Sequence, residues 1–418
     1  MRSASVGKGW ILLLLLSGSS FAAPAAPSLE TQYAQRLKKI DRKKAADWMA
    51  LADFCLQQQM DLREKWADAL RQALKLDPTL EDAHLLLGDL KVGGKWVDGA
   101  KAESLLAEEA RQQRAKGLVF YGSGWIDAAK AKGMREEDRA KLAWQESWGL
   151  AQRLDTTHLT IYSACSLETT WKLAGILERE FAVYRHFHAD VLKLPPWKRF
   201  QVQLFKDEKH TLEHEKATGG SPPDGFQGVY DQATRTLHTT LPEKAPAAGQ
   251  PFPVEDLANS VHEFFHAIDD QVFGMEGMNR FPLWVVESRA EYLTGCTLAS
   301  GQIVLGAVQV SGNVDPGKLT ALMPGLPLSR FFSMDRQTFL SSADHYTYGW
   351  GFAHFLLHAE GGRYAQGFGQ YLRKVQEGGD GKDFETCVAP AAELEPAFRK
   401  YATSELPKRA QAGRKTGP

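Results

Sequence analysis

Val261-His262-Glu263-Phe264-Phe265-His266, followed by Trp284-Val285-Val286-Glu287-Ser288-Arg289-Ala290-Glu291-Tyr292, is the part of this 418-residue chain that decides its fold. The first stretch has the pattern His-Glu-x-x-His. Residues four apart on a helix share one face, one turn above each other. His262 and His266 are therefore placed to grip one metal ion, with Glu263 turned to its open side. Two imidazoles are too few for a catalytic zinc site, which takes three protein ligands and a water. Glu287 is the best candidate for the third, because Trp284, Val285, Glu287, Ala290, Glu291 and Tyr292 recur at helical spacing. A chance match to the pattern is expected on the order of 0.02 times in such a chain. Phe264, Phe265 and Ala267 also mark the helix as buried, where two histidines and a glutamate need a partner.

Taken together, the two segments resemble the gluzincin metallopeptidases, in particular the peptidase MA-like domain of secreted bacterial proteins of unknown function. Those proteins carry Pro-x-Trp-x-x-Glu-Gly-x-Ala-Glu-Tyr. This chain has Pro282-Leu283-Trp284, then Glu287 to Tyr292, and departs at Ser288 and Arg289. The resemblance spans roughly residues 155–405 and implies a zincin-like α+β domain: a small mixed sheet, the active-site helix and C-terminal helices. It implies Zn2+ held by His262, His266 and Glu287, with Glu263 as general base on a peptide or protein substrate. Glu291 matches a carboxylate that hydrogen-bonds to a ligand imidazole. The zinc aminopeptidases place an oxyanion-binding tyrosine before a downstream apolar helix. In Tyr346-Thr347-Tyr348-Gly349-Trp350, Tyr346 takes that position, with Tyr348 and His345 as competitors. Two other readings stay open: a helical binding or scaffold protein with a structural or inactive zinc site, and a hydrolase of non-peptide amides.

Bulk properties narrow the classes. A net charge of −1 gives no basic face for nucleic acid. Neither a phosphate-binding glycine loop nor a Gly-x-Ser-x-Gly elbow is present. Residues 1–22 read as a secretory signal. Arg2 and Lys8 precede an apolar run from Trp10 to Leu16, and Ser20-Phe21-Ala22 suits cleavage after Ala22. A secreted or periplasmic protein follows, with no transmembrane segment after cleavage. Cys55, Cys165, Cys296 and Cys387 allow three pairings, or none if each is an inert buried thiol.

The chain then divides as 23–154 helical, 155–405 zincin-like and 406–418 a disordered tail. Leu70, Ala73, Pro78 and Leu87-Gly88 fall at tetratricopeptide spacing, which leaves open a partner-binding groove or a helical cap, the cap being favoured. Gly94-Lys95-Trp96-Val97-Asp98 is echoed by Gly124-Trp125-Ile126-Asp127, each a glycine turn, a buried Trp and an Asp helix cap. Residues 134–154 are expected to continue as a charged helix. Strands are expected at 158–163, 199–205, 228–230 and 236–240. Of the other histidines, His186, His188, His210, His214 and His238, the pair His210 and His214, four apart, reads as a solvated helix ahead of a second metal site, and Asp269 and Asp270 read as solvated ahead of orienting an active-site group.

Overall fold

The computed structural model describes residues 28–415 apart from 58, 93, 218–227, 245, 248, 249, 251, 298–302, 309 and 311. The signal-like segment 1–22 lies outside these residues. The chain folds as an α+β protein. Among the described residues, no helix is long and apolar enough to cross a membrane.

Helices α1 (Leu29–Lys39), α2 (Ala45–Gln57), α3 (Gln59–Leu76) and α4 (Glu81–Leu87) come first. Leu51, Ala52, Cys55, Leu62, Ala69, Leu70 and Ala73 recur at helical spacing because they are the buried face of α2 and α3. Gly88 ends α4 in the left-handed region at φ 91°, a conformation glycine adopts without strain.

The internal echo is a repeated hairpin followed by a helix. β1 (Leu90–Val92) and β2 (Lys95–Val97) lead into α5 (Gly99–Ala115). β3 (Leu118–Tyr121) and β4 (Gly124–Asp127) lead into α6 (Ala128–Lys141). Asp98 and Asp127 cap these helices as expected, accepting the N–H of Lys101 and of Ala129. Trp96 and Trp125 are half-buried rather than buried. The helix expected over 134–154 stops at Lys141. Ala143 takes φ 54° and Gly149 φ 67°, and the chain between them lays Trp144 and Trp148 on the back of the main sheet, beside Tyr162 and Phe205.

That sheet has the order β5-β6-β7-β9-β8, with β5 (Gln152–Asp155), β6 (Leu159–Ser163), β7 (Phe200–Phe205), β8 (Gly228–Asp231) and β9 (Thr236–Thr240). β6, β7 and β9 run parallel, and the edge strands β5 and β8 are antiparallel to their neighbours. Between β6 and β7 the chain forms α7 (Leu167–His188), and after β7 it forms α8 (Glu208–Ala217). Gly228 lets the edge strand sit close: a Cβ there would meet His238 O at 2.3 Å and Asn259 Nδ2 at 2.9 Å.

Two long helices follow, α9 (Val254–Arg280) and α10 (Leu283–Thr294). After the short helices α11 (Leu319–Leu322), α12 (Leu328–Phe332) and α13 (Arg336–Leu340) comes α14 (Ala343–His358). α14 lies against α10 closely enough that a Cβ on Gly349 would meet Ser288 Oγ at 2.3 Å. The fold closes with α15 (Ala365–Gln376), α16 (Phe384–Cys387), α17 (Ala391–Ser404) and α18 (Leu406–Lys415). The expected disordered tail, 406–418, is therefore helical as far as Lys415. Leu406 anchors it, at 4% exposure in the main core, and residues 416–418 lie outside those described. All four cysteines are free thiols. Burial pushes Cys55, Cys165 and Cys296 up to about 12.

One apolar core runs from Leu51 to Leu406 without a break at residue 155. The first helices dock on α7 through polar ties as well: Arg179 donates to Leu85 O at 3.2 Å, and Arg185 pairs with Asp82. His186 bridges Asp53 at 2.7 Å and Asp82 at 3.0 Å. Burial lowers the pKa of His186, but its bonds to the two carboxylates outweigh this and raise it to about 9. The raised folded value makes the tie fully stabilising below the unfolded pKa of about 6.5, with the contribution lost as pH climbs through about 9. Because Asp53 and Asp82 are 25% and 28% exposed, we expect only about 1–2 kcal/mol from it. His186→Gln should flatten the fall in urea midpoint between pH 6.5 and 9 (the window set by those two values). Parallel curves for the two proteins would count against the tie.

Candidate functional site

Helix α9 begins after Pro253 and carries Glu255 and Asp256 in its first turn, where negative charge suits the helix dipole. Leu257, Val261, Phe264, Phe265, Ile268 and Val272 bury one stripe of it. The opposite stripe turns His262, Glu263 and His266 into a cleft of about 1380 Å³, whose walls also include Tyr230, Glu287, Glu291 and Tyr346. α10 supplies its two glutamates one turn apart while burying Trp284, Val285, Ala290 and Tyr292.

The expected ligands meet. His262 Nε2 lies 3.0 Å from His266 Nε2 and 3.1 Å from Glu287 Oε2, and His266 Nε2 lies 3.6 Å from the same oxygen. Zinc with tetrahedral ligands at about 2.0–2.1 Å has edges of about 3.3 Å between them. The three edges bracket that value, and two imidazoles with a carboxylate are a donor set zinc accepts, so the residues fit the ion. Glu291 stands behind, its Oε1 3.4 Å from His262 Nδ1. It can fix that imidazole with Nε2 free for a metal.

These groups also shift one another's protonation. Burial opposes charge on His262, but Glu291 and Glu287 outweigh it and raise its pKa to about 10. Burial pushes Glu287 up, yet His266 and His262 reverse this and hold it well below the carboxylate range. Burial lifts Glu291 to about 7, with His262 pulling the other way. A bound cation would displace the imidazole protons.

Glu263 is placed by the sheet. Its Oε2 accepts the backbone N–H of Tyr230, on edge strand β8, at 2.8 Å. Tyr346 is half-buried at the cleft wall. Its phenol pKa is raised by burial and then by Glu287, Glu291 and Glu263, which keeps the proton on the oxygen. The two competitors point elsewhere. Tyr348 is fully buried, 4.8 Å from the Phe331 ring and 5.5 Å from that of Phe398. His345 bonds through Nδ1 to Phe339 O at 2.9 Å.

Several groups read differently in three dimensions. Asp269 and Asp270 are not solvated: they are 3% and 2% exposed. Asp269 takes both guanidinium nitrogens of Arg289, at 2.5 and 3.1 Å, and the hydroxyl of Tyr184 at 2.6 Å. This bolt joins the two ligand-bearing helices one turn below His266. Arg289, a full charge among Val285, Val286, Ala290 and Tyr292, was the signal for it, since buried charges need partners. Asp270 accepts from Tyr230 OH at 2.9 Å and Gln232 Nε2 at 3.1 Å, which braces β8 against α9. His214 is also not solvated, at 2% exposure, because Trp148 covers it. His210, half-buried, bonds to Asp207 at the start of α8. His188 is buried and bonds through Nδ1 to Tyr184 O.

The chain matches no protein-family model and no curated protein sequence.

Proposed function

We propose that this chain is a secreted zinc metallopeptidase of gluzincin type, with a zincin-like domain preceded by a tetratricopeptide-like helical cap. The observation that carries the reading is the convergence of His262, His266 and Glu287 in one cleft with Glu263 and Tyr346. The signal-like residues 1–22 support export. The continuous core beneath α2–α4 supports a cap over a separate partner-binding module.

His262, His266 and Glu287 would hold zinc, which when bound would supply a Lewis acid that acidifies water and polarises a carbonyl. Glu263 takes the proton of the attacking water and passes it to the leaving amine. The Tyr230 N–H holds the carboxylate of Glu263 toward the cleft and leaves its second oxygen for this work. Tyr346 donates its hydroxyl proton to the oxygen on which negative charge grows. Glu291 keeps His262 in one tautomer.

An intact base argues against a purely structural site, which needs none. The direct test is to incubate the full mature chain, zinc-loaded and then chelated, with a denatured-protein or peptide-library substrate. New peptide termini that appear only with zinc are expected, and their absence would defeat the proposal. The ligand assignment has its own test. Glu287→Gln is expected to lose its zinc on dialysis, whereas Glu291→Gln keeps it with affinity lower by about 10- to 100-fold. Equal zinc in wild type and Glu287→Gln would remove Glu287 from the shell.

A further inference from the structure

A second cluster of the same composition lies beside the cleft, where Glu215 forms part of the wall. Helix α8 contributes His214 and Glu215, and β9 contributes His238. The strand's alternation explains the meeting. Thr239 faces α9, its Oγ1 2.6 Å from Ser260 Oγ, so His238 and Thr240 face α8, where Thr240 bonds to Thr211. His214 Nδ1 lies 3.3 Å and His238 Nδ1 2.9 Å from one atom, Glu215 Oε1. One ligand atom from each residue falls within 4.8 Å of the others. His214 and His238 are 2% and 4% exposed. Their rings are fixed: His214 sits edge-on to Trp148 at 4.4 Å and to His238 at 4.2 Å.

We propose that His214, Glu215 and His238 form a second metal site, which takes a zinc-class divalent ion and clips α8 to the sheet beside the cleft. Three observations carry this. The two edges to Glu215 Oε1, 3.3 and 2.9 Å, lie at and just under the about 3.3 Å expected between tetrahedral zinc ligands. Two imidazoles and one carboxylate favour zinc and its first-row neighbours over magnesium or calcium, which prefer all-oxygen shells. Glu215 lines the open cleft, so an ion can reach a site whose histidines are buried. The site stands apart from His262, His266 and Glu287, and does not depend on what that centre does.

The test counts metal on the full mature chain. After chelation, the protein is titrated with Zn2+ against a chromophoric chelator and the bound metal is measured by mass spectrometry. We expect two equivalents for the wild type. His262→Gln/His266→Gln should keep one, and Glu215→Gln/His238→Gln should keep the other. Should the last variant fail to fold, as judged by circular dichroism, the first still decides. Its remaining equivalent, loaded as Co2+, should give a visible d–d band and quench the tryptophan beside His214, a loss of fluorescence absent in the same chain carrying Trp148→Phe. No metal on a folded His262→Gln/His266→Gln protein would overturn the proposal, whatever the wild type holds at the other centre. Survival of both equivalents in a folded Glu215→Gln/His238→Gln protein would overturn it as well.

Discussion

Glu263→Gln is expected to keep its metal and its fold while kcat/KM on a cleavable peptide falls by about 10²- to 10⁴-fold, the range for loss of a general base. The geometry makes the substitution clean. Glu263 is not among the three converging ligand atoms. The oxygen that accepts from Tyr230 N–H has an equivalent in the glutamine carbonyl, so the side chain can stay where it is. What disappears is the capacity to take a proton from water. Metal content by mass spectrometry and kcat/KM on one peptide, measured on the same preparation, check this. A variant that loses metal would make Glu263 a ligand, and one that loses neither metal nor activity would leave the reaction without its base.

Tyr346→Phe is expected to lower kcat by about 10²- to 10³-fold with substrate affinity and zinc little changed. A group that binds only the developing oxyanion stabilises the transition state and not the bound substrate, so its loss falls on kcat. Tyr346 has the placement for this, at the cleft wall, with three carboxylates acting on its phenol. Tyr348→Phe is the control. Its hydroxyl is buried with no hydrogen-bond partner among the described residues, so its removal should leave kcat unchanged. Steady-state kinetics of both variants on one peptide separate them. A silent Tyr346→Phe, or equal losses in both, would withdraw the assignment.

The residues of the candidate centre were legible because helical spacing is a short-range property. His262 and His266 are four apart, Glu287 and Glu291 are four apart, and the apolar residues between them say which way each helix faces. The strands of the main sheet were legible for a similar reason, since Gln201 to Phe205 alternates within one segment. Failures came where the deciding contact lies far along the chain. His214 reads as a polar helix residue until Trp148, from a different part of the sequence, covers it. Asp269 reads as solvated until Arg289 and Tyr184 arrive from two other helices. The stretch from Leu142 to Leu150 has helical composition, but Trp144 and Trp148 gain more by lying against Tyr162 and Phe205 on the sheet. The hairpins were a different miss. Their glycine turns were legible, but the flanking strands, Leu90–Val92 with Lys95–Val97 and Leu118–Tyr121 with Gly124–Asp127, are too short to show an alternation.

The unbroken core beneath α2–α4 bears on inheritance. Two regions that share one interior cannot be exchanged by recombination without repacking both, because a new partner would leave Leu51, Cys55 and Leu70 facing a surface not shaped for them. Descendants of this chain are then expected to keep the helices and the cleft together. Substitutions at Asp82 should be followed by changes at Arg185 and His186, and those in the last turn of α4 by changes at Arg179. The first helices would drift as part of one body with the cleft, at the pace of their shared core.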